Sequence, residues 1–416
     1  MKKWLGLTAL LLCVWLSACN KEEPLEENAS IQEEMLEENS AGQEEALKEN
    51  VSQQEEAETK NEYDKNGDGY ITNDEVNLRE MVVKYMEDMA GVEWTATKLI
   101  DYTSEGFPLL VYKPGEKYLG MIYNSSADGF EVFQEALDEQ GNFIAEDTYW
   151  TSGPGNSCAT SIRHAWQLIA PSVEYQYSAD MAPYYAYTGV TAVGDVDWST
   201  YADYNTVESI VKKTDKAVIM EAYAQMLPGD AFVRFLYEGG HAQMLTKEVE
   251  VVRDNAGNIL PAQSYVYITE QNCLLNNIRE YPSSWLLDYK MTFQDMYDGG
   301  YLPVSCKELQ EGKTPIPTFE LRGEFTSEDV LSTEKTKAYY KSNYVIMRAT
   351  AEIREGDARG ELIETKSWRP YYREFELQSL KKDMDLQGLP AGTYYVSIYL
   401  ETGLGSETVL ELEFTK

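Results

Sequence analysis

Apolar and polar positions divide the chain into stretches of different rhythm. A continuous apolar run from Trp4 to Leu16 opens it, too short to span a bilayer. From Lys21 to Lys60 the apolar residues thin to isolated positions such as Leu25, Ile31, Met35 and Leu36, enough for transient helix only. Between Asn61 and about Pro315 two periods interleave. Phe130–Leu137, Ala159–Ile169 and Val207–Lys213 have helical spacing. Leu109–Tyr112, Ala231–Leu236, Gln243–Val252 and Tyr265–Thr269 have strand character. The run Asp254-Asn255-Ala256-Gly257-Asn258 predicts a hairpin turn between two of these strands. After the proline-bearing stretch Lys313–Pro317 the pattern becomes all-β. Tyr394, Val396, Ile398 and Leu400 alternate with other residues, as do Leu410, Leu412 and Phe414. Leu389-Pro390-Ala391-Gly392-Thr393 supplies a turn. The pattern predicts an α+β protein, with an antiparallel sheet in the middle segment and a β-sandwich over 316–416.

Composition sharpens the second stretch. Glu occupies 14 of the 40 positions from Lys21 to Lys60 against 3 Lys, with no aromatic residue. Such a segment buries too little apolar surface to offset its chain entropy, so residues 20–60 are expected to be a disordered, self-repelling stalk. The formal net charge of −36 over the whole chain argues against nucleic acid or an anionic lipid surface as partner.

The start of the chain sets the expected compartment. Lys2 and Lys3 precede the apolar run, and Leu16-Ser17-Ala18-Cys19 closes it. This tetrapeptide resembles the lipobox of bacterial lipoproteins. The resemblance implies cleavage before Cys19, a lipid on its thiol, and tethering at the extracellular face of the bacterial cell membrane. Cys13 then leaves with the signal, and Cys158, Cys273 and Cys306 remain. An odd number outside the cell implies a free thiol. A Cys273–Cys306 disulfide with Cys158 left over is one arrangement, which sequence alone does not fix.

Residues 61–91 carry a twelve-residue loop, Asp64-Lys65-Asn66-Gly67-Asp68-Gly69-Tyr70-Ile71-Thr72-Asn73-Asp74-Glu75, that matches the EF-hand pattern. Calcium takes six to eight hard oxygen ligands, and such a loop wraps them around one ion. Asp64, Asn66 and Asp68 offer side-chain oxygens, Tyr70 its carbonyl, Thr72 a direct or water-mediated contact, and Glu75 a bidentate carboxylate. Gly69 supplies the sharp turn. Val76, Met81, Val82 and Tyr85 form the apolar face of a following helix. No second loop is visible, so the segment resembles a dockerin or a bacterial single-hand module. A dissociation constant on the order of 0.1–1 mM and a structural role are expected.

Residues 92–315 hold a second constellation. Gly153-Pro154-Gly155-Asn156-Ser157 breaks the chain before Cys158, which opens the helical run ending at Ile169. Unsatisfied amides and the helix dipole favour a thiolate in that first turn. The chain has two histidines. His164 lies roughly 600° of helical rotation from Cys158 and is expected to be a surface or packing residue. His241 follows Pro228-Gly229-Asp230, a strand and the turn Glu238-Gly239-Gly240, then opens a second strand.

Cys158 opening a helix, Pro228-Gly229-Asp230 before a strand, and His241 between Gly240 and Ala242 resemble the NlpC/P60 branch of papain-like cysteine hydrolases. Tyr149, nine residues before Cys158, matches that family's upstream tyrosine. The family's third polar residue, which orients the imidazole from the next strand, falls here on Glu270 or Gln271. Two departures stand out. Ser157-Cys158-Ala159-Thr160 lacks the family's acid and glycine, and a tyrosine-rich insert, about Ala170 to Thr206, separates cysteine from histidine. The resemblance implies a papain-like domain, hydrolysis of peptide or amide bonds through a thioacyl intermediate, and peptidoglycan as substrate. The 316–416 segment suits an immunoglobulin-like or fibronectin-like spacer or binding module. The rival expectation is a non-catalytic, calcium-stabilised adhesion or binding lipoprotein that meets another surface protein.

Overall fold

The computed structural model describes residues 61–416 apart from 176, 183–187, 198–206 and 237–238. The apolar leader, Cys19, the acidic stalk and part of the tyrosine-rich insert lie outside the described residues. The protein is a mixed α+β structure. Its chain forms β1 (Tyr70–Thr72), α1 (Leu78–Gly91), β2 (Glu93–Ala96), β3 (Ile100–Asp101), β4 (Val111–Tyr112), β5 (Lys117–Leu119), α2 (Phe130–Glu135), β6 (Asn142–Phe143) and α3 (Cys158–Gln167). Next come β7 (Val190–Ala192), α4 (Val207–Lys213), α5 (Lys216–Gln225), β8 (Ala231–Leu236), β9 (Gly239–Leu245), β10 (Tyr265–Asn276), β11 (Ser283–Thr292), α6 (Phe293–Asp298), β12 (Leu302–Cys306), α7 (Lys307–Glu311) and β13 (Lys313–Pro315).

Nine of these strands make one sheet in the order β6-β2-β5-β11-β10-β9-β8-β12-β7. The sheet is mixed rather than purely antiparallel, because β5 runs parallel to β11 and β2 parallel to β6. The predicted strand Gln243–Val252 is displaced. The observed strand begins at Gly239 and ends at Leu245, after which the chain leaves the sheet and returns only through an isolated bridge from Glu250 to Tyr265. Strand-forming composition there competes with two exposed valines, Val251 and Val252, that have no sheet face to cover. The turn at Asp254 forms inside this excursion. Asp254 N donates to Asn258 O at 2.8 Å, and Gly257 takes a φ of 89° that favours glycine.

One hydrophobic core holds residues from Ile71 to Leu309 together with Tyr344 and Leu404 of the C-terminal segment, so the loop segment and the middle segment are packed as one body. Leu78, Val82, Tyr85, Met86, Met89 and Ala90 form the buried stripe of α1, at the spacing of a single helix face. Asn77 caps this helix, accepting from Glu80 N at 3.2 Å.

The C-terminal segment contains β14 (Phe319–Arg322), α8 (Ser327–Leu331), β15 (Tyr339–Ile346), β16 (Arg348–Glu355), β17 (Leu362–Trp368), β18 (Tyr372–Glu376), α9 (Gln378–Asp383), β19 (Thr393–Thr402) and β20 (Gly405–Thr415). They form antiparallel sheets of three strands (β14-β15-β18) and four strands (β17-β16-β19-β20). Tyr394, Val396, Ile398 and Leu400 all point inward from β19, as their alternation predicts, and share a second core with Tyr340, Ile346 and Phe375.

Candidate active site

Cys158 is the first residue of α3. Ser157 precedes it in extended conformation and forms a capping box with Thr160, Ser157 N donating to Thr160 Oγ1 at 2.8 Å. The glycine- and proline-rich approach ends in this cap because none of its residues favours helix. As the first helical residue, Cys158 has a backbone N–H with no partner inside the helix. Trp166, two turns on, donates from its indole to Gly229 O at 2.8 Å, which ties α3 to the Pro228-Gly229-Asp230 turn. Gly229 has a φ of 94°, a conformation that favours glycine. Asp230 accepts from Arg79 of α1 at 2.9 Å and from Ser305 Oγ at 2.6 Å. Burial raises its carboxyl, with Arg79 opposing that rise.

The sheet face under α3 carries the rest. His241 on β9 places Nε2 2.7 Å from Glu270 Oε2 on β10. Gln243 Nε2 also donates to Glu270 Oε2, and Asn272 Nδ2 donates to Oε1 at 2.7 Å. The β9–β10 register pairs Ile268 with Leu245 and Thr269 with Met244. Extended along the strands, that register sets Glu270 opposite Gln243 and Asn272 opposite His241, all on one face. Tyr301 completes the cluster. Its hydroxyl accepts from Gln243 Nε2 at 3.2 Å, and its ring centroid lies 6.5 Å from that of His241.

The charges are coupled. Burial opposes the imidazolium of His241, but Glu270, joined by Tyr301 and Cys158, outweighs burial and lifts its pKa well above the usual range. Cys158 is among the groups that favour the charged ring, so thiol and imidazole lie within electrostatic reach of each other. Burial likewise pushes Glu270 up, and His241, Asn272 and Gln243 overcome it, so the carboxyl sits below its usual range. The pair is a buried imidazolium–carboxylate facing a thiol. Cys158 is 7 % exposed and the His241 side chain 15 %, so both lie just beneath the surface.

The open choice between Glu270 and Gln271 follows from strand parity. Gln271 faces the other side of the sheet, where its amide donates to Met121 O at 3.0 Å. Tyr149 is not brought to the site. It is 77 % exposed, makes no hydrogen bond to Cys158, His241 or Glu270, and contributes its carbonyl to a turn that accepts from Gly153 N at 2.8 Å. His164 is a packing residue and not a surface one. It is buried against Tyr371 with Nε2 2.7 Å from Ala127 O, and burial beside Arg163 pushes its pKa down to about 3. Cys158, Cys273 and Cys306 are all buried thiols, with no disulfide between Cys273 and Cys306. Sequence reading missed Gln243, Asn272 and Tyr301. For the first two a signal existed, since each lies two residues from a chosen residue on the same strand face. Tyr301 carried none.

In the twelve-residue loop the acids are engaged by loop amides. Asp64 accepts from Gly67 N at 2.7 Å and Gly69 N at 3.0 Å, and Glu75 accepts from Lys65 N and Thr72 N, both at 2.9 Å. Asn66 and Asp68 each accept from an amide two residues on. Gly67 and Gly69 have φ of 73° and 83°. Asn61–Tyr63, just before the loop, are not helical. Among the described residues no group of three or more His, Cys, Asp or Glu side chains is drawn together as a metal cluster. The donors are hard oxygens on a loop of the right length and turn, which is the chemistry calcium takes. Within the loop, β1 pairs antiparallel with β13, Ile71 opposite Thr314, and Ile71 is fully buried in the main core.

Comparison with known protein families, with curated proteins and with solved structures finds no match to this chain.

Proposed function

We propose that the chain is a calcium-binding, lipid-anchored surface protein whose middle segment is a papain-like cysteine hydrolase of the NlpC/P60 kind. The observation that carries this reading is the Cys158–His241–Glu270 line, with the thiol at a helix mouth and the imidazole bonded on its far side to a buried carboxylate. Cys158 Sγ attacks the carbonyl carbon of an amide, aided by its own backbone N–H, which donates to the developing oxyanion. As the C–N bond breaks, His241 passes its proton to the departing amine. Water, deprotonated by His241, then attacks the thioester and releases the acid and the free thiol. Glu270 fixes the ring and favours its charged form, while Gln243 and Asn272 hold Glu270 in place. Cell-wall peptide or amide bonds are the substrate class that fits the expected location. In the loop, Asp64, Asn66, Asp68, Tyr70, Thr72 and Glu75 would hold calcium, which there serves to stiffen the fold.

A second reading has its own support. A polar cavity of about 550 Å³, lined by residues that include Tyr70, Ser172, Lys313, Asn343 and Arg373, shares none of its lining with the thiol site. A non-catalytic binding lipoprotein would use that cavity or the C-terminal sheets and leave Cys158 as a packed thiol. Alkylation by iodoacetamide at pH 7 separates the two readings. The hydrolase reading expects Cys158 to be labelled rapidly and His241→Ala to slow labelling tenfold or more. Equal, slow labelling in both proteins would favour the binding protein.

A further inference from the structure

Arg234 stands out among the basic residues near the thiol. The chain has 71 acidic residues against 35 basic ones, and Arg79, Arg253, Arg322, Arg354, Arg369 and Arg373 each meet a carboxylate within 3.0 Å. Arg234 meets none. Its Nε is buried with no hydrogen-bond partner. Arg163 and Arg348 also have unpartnered Nε atoms, but each donates through its terminal nitrogens to a carbonyl or a hydroxyl. Among the described residues, the interaction made by the Arg234 guanidinium is with the ring of Tyr301, 5.2 Å from its centroid. A charge-bearing donor left half-buried without an acceptor is costly, unless its acceptor arrives from outside the chain.

Its position says where that acceptor would sit. Arg234 on β8 pairs directly with His241 on β9. Leu302 of β12 pairs with Val233, so the same register carried one residue on sets Tyr301 opposite Arg234. Tyr301, Arg234, His241 and Asn272 therefore form a row across four neighbouring strands, on the face that carries the site. The guanidinium and the imidazole flank the same tyrosine ring. Glu270, the nearest acid in the cluster, is already engaged by His241, Gln243 and Asn272. The planar fork of arginine matches a carboxylate bidentately, whereas a neutral amide satisfies only part of it.

We propose that Arg234 is a substrate-binding residue that receives a carboxylate lying beside the scissile amide, so that the site prefers acidic peptides. The proposal rests on the thiol-site reading and deepens it. Two thiol reagents of nearly identical size separate it from that reading. Iodoacetate and iodoacetamide both alkylate sulfur with loss of iodide and differ in carrying a carboxylate or an amide. With peptide mapping to locate the label on Cys158, the ratio of the iodoacetate rate to the iodoacetamide rate reports the anion preference. Arg234→Met and Arg234→Gln should lower that ratio about fivefold or more, as loss of one nearby unit charge implies. Arg234→Lys should keep most of it, and added salt should lower it in the unaltered protein. An unchanged ratio in both neutral variants would overturn the assignment. Should neither neutral variant fold, protection of the unaltered protein decides. Succinate should slow its alkylation by iodoacetamide and succinamide should not, and equal protection would overturn the proposal. Failure of both reagents to label Cys158 in the unaltered protein would remove the thiol site itself, and the proposal with it.

Discussion

His241 and His164 occupy opposite surroundings, and they are the chain's two histidines. His164 is buried among apolar groups beside the like charge of Arg163, which holds its pKa at about 3. His241 is buried too, but the Glu270 carboxylate reverses the balance. A carboxylate at hydrogen-bond distance stabilises the imidazolium, so the proton leaves His241 only as pH rises through a value above the ordinary 6.5. Proton NMR titration should therefore show one imidazole that stays neutral above pH 4 and one still charged at pH 7. Glu270→Gln removes the stabilising charge and should bring the second titration down in pH, while the first does not move. Two imidazoles titrating near 6.5 in the unaltered protein would contradict this electrostatic picture. The residues that make the picture were partly legible in sequence. Cys158 and His241 follow from helix and strand starts, but Glu270 and Gln271 could not be separated until the β9–β10 register fixed which one faces the imidazole.

Among the elements, α1 connects the loop to the site. Its stripe from Leu78 to Ala90 is buried in the main core, and Arg79 on the same helix holds Asp230 and the carbonyls of Leu227, Pro228 and Leu309. Strand β1 of the loop takes β13 as its partner, where a paired hand would use a second loop. The loop is thus built into the body of the fold. If calcium binds there with a dissociation constant of roughly 0.1–1 mM, 10 mM calcium stabilises the folded chain by about 1.4–2.7 kcal/mol. Thermal unfolding should shift upward by a few degrees on adding calcium, and Asp64→Ala should abolish the response. An equal shift in both proteins, or none in either, would argue against a calcium role for the loop. The periodicity located α4 well because it buries a single face. For α1 it found Val82 and Tyr85 of the buried stripe but also chose Val76, which precedes the helix, and Met81. Helix α3 and strand β8 are buried on more than one face. The periodicity misplaced the end of β9, because Lys247 to Val252 has strand-like composition but leaves the sheet.

At the scale of the whole molecule, the sequence pattern separated an α+β segment from an all-β one, and the two cores follow that division except that Tyr344 and Leu404 of the all-β segment are buried in the larger core. It did not reveal that the loop segment shares the larger core. Nor could it place Arg234 and Tyr301 beside His241, since β12 reaches β8 only through the nine-strand order. Contacts between strands distant in sequence are set by topology, which local periodicity does not encode. The proposed hydrolase activity requires Cys158 to be a nucleophile toward amides. Purified bacterial cell wall incubated with the protein, followed by measurement of newly released amino groups, tests this directly. The unaltered protein should release them steadily, and Cys158→Ala should fall to the rate of buffer alone. Equal release by the two proteins, or none by either across cell walls of different peptide composition, would contradict it.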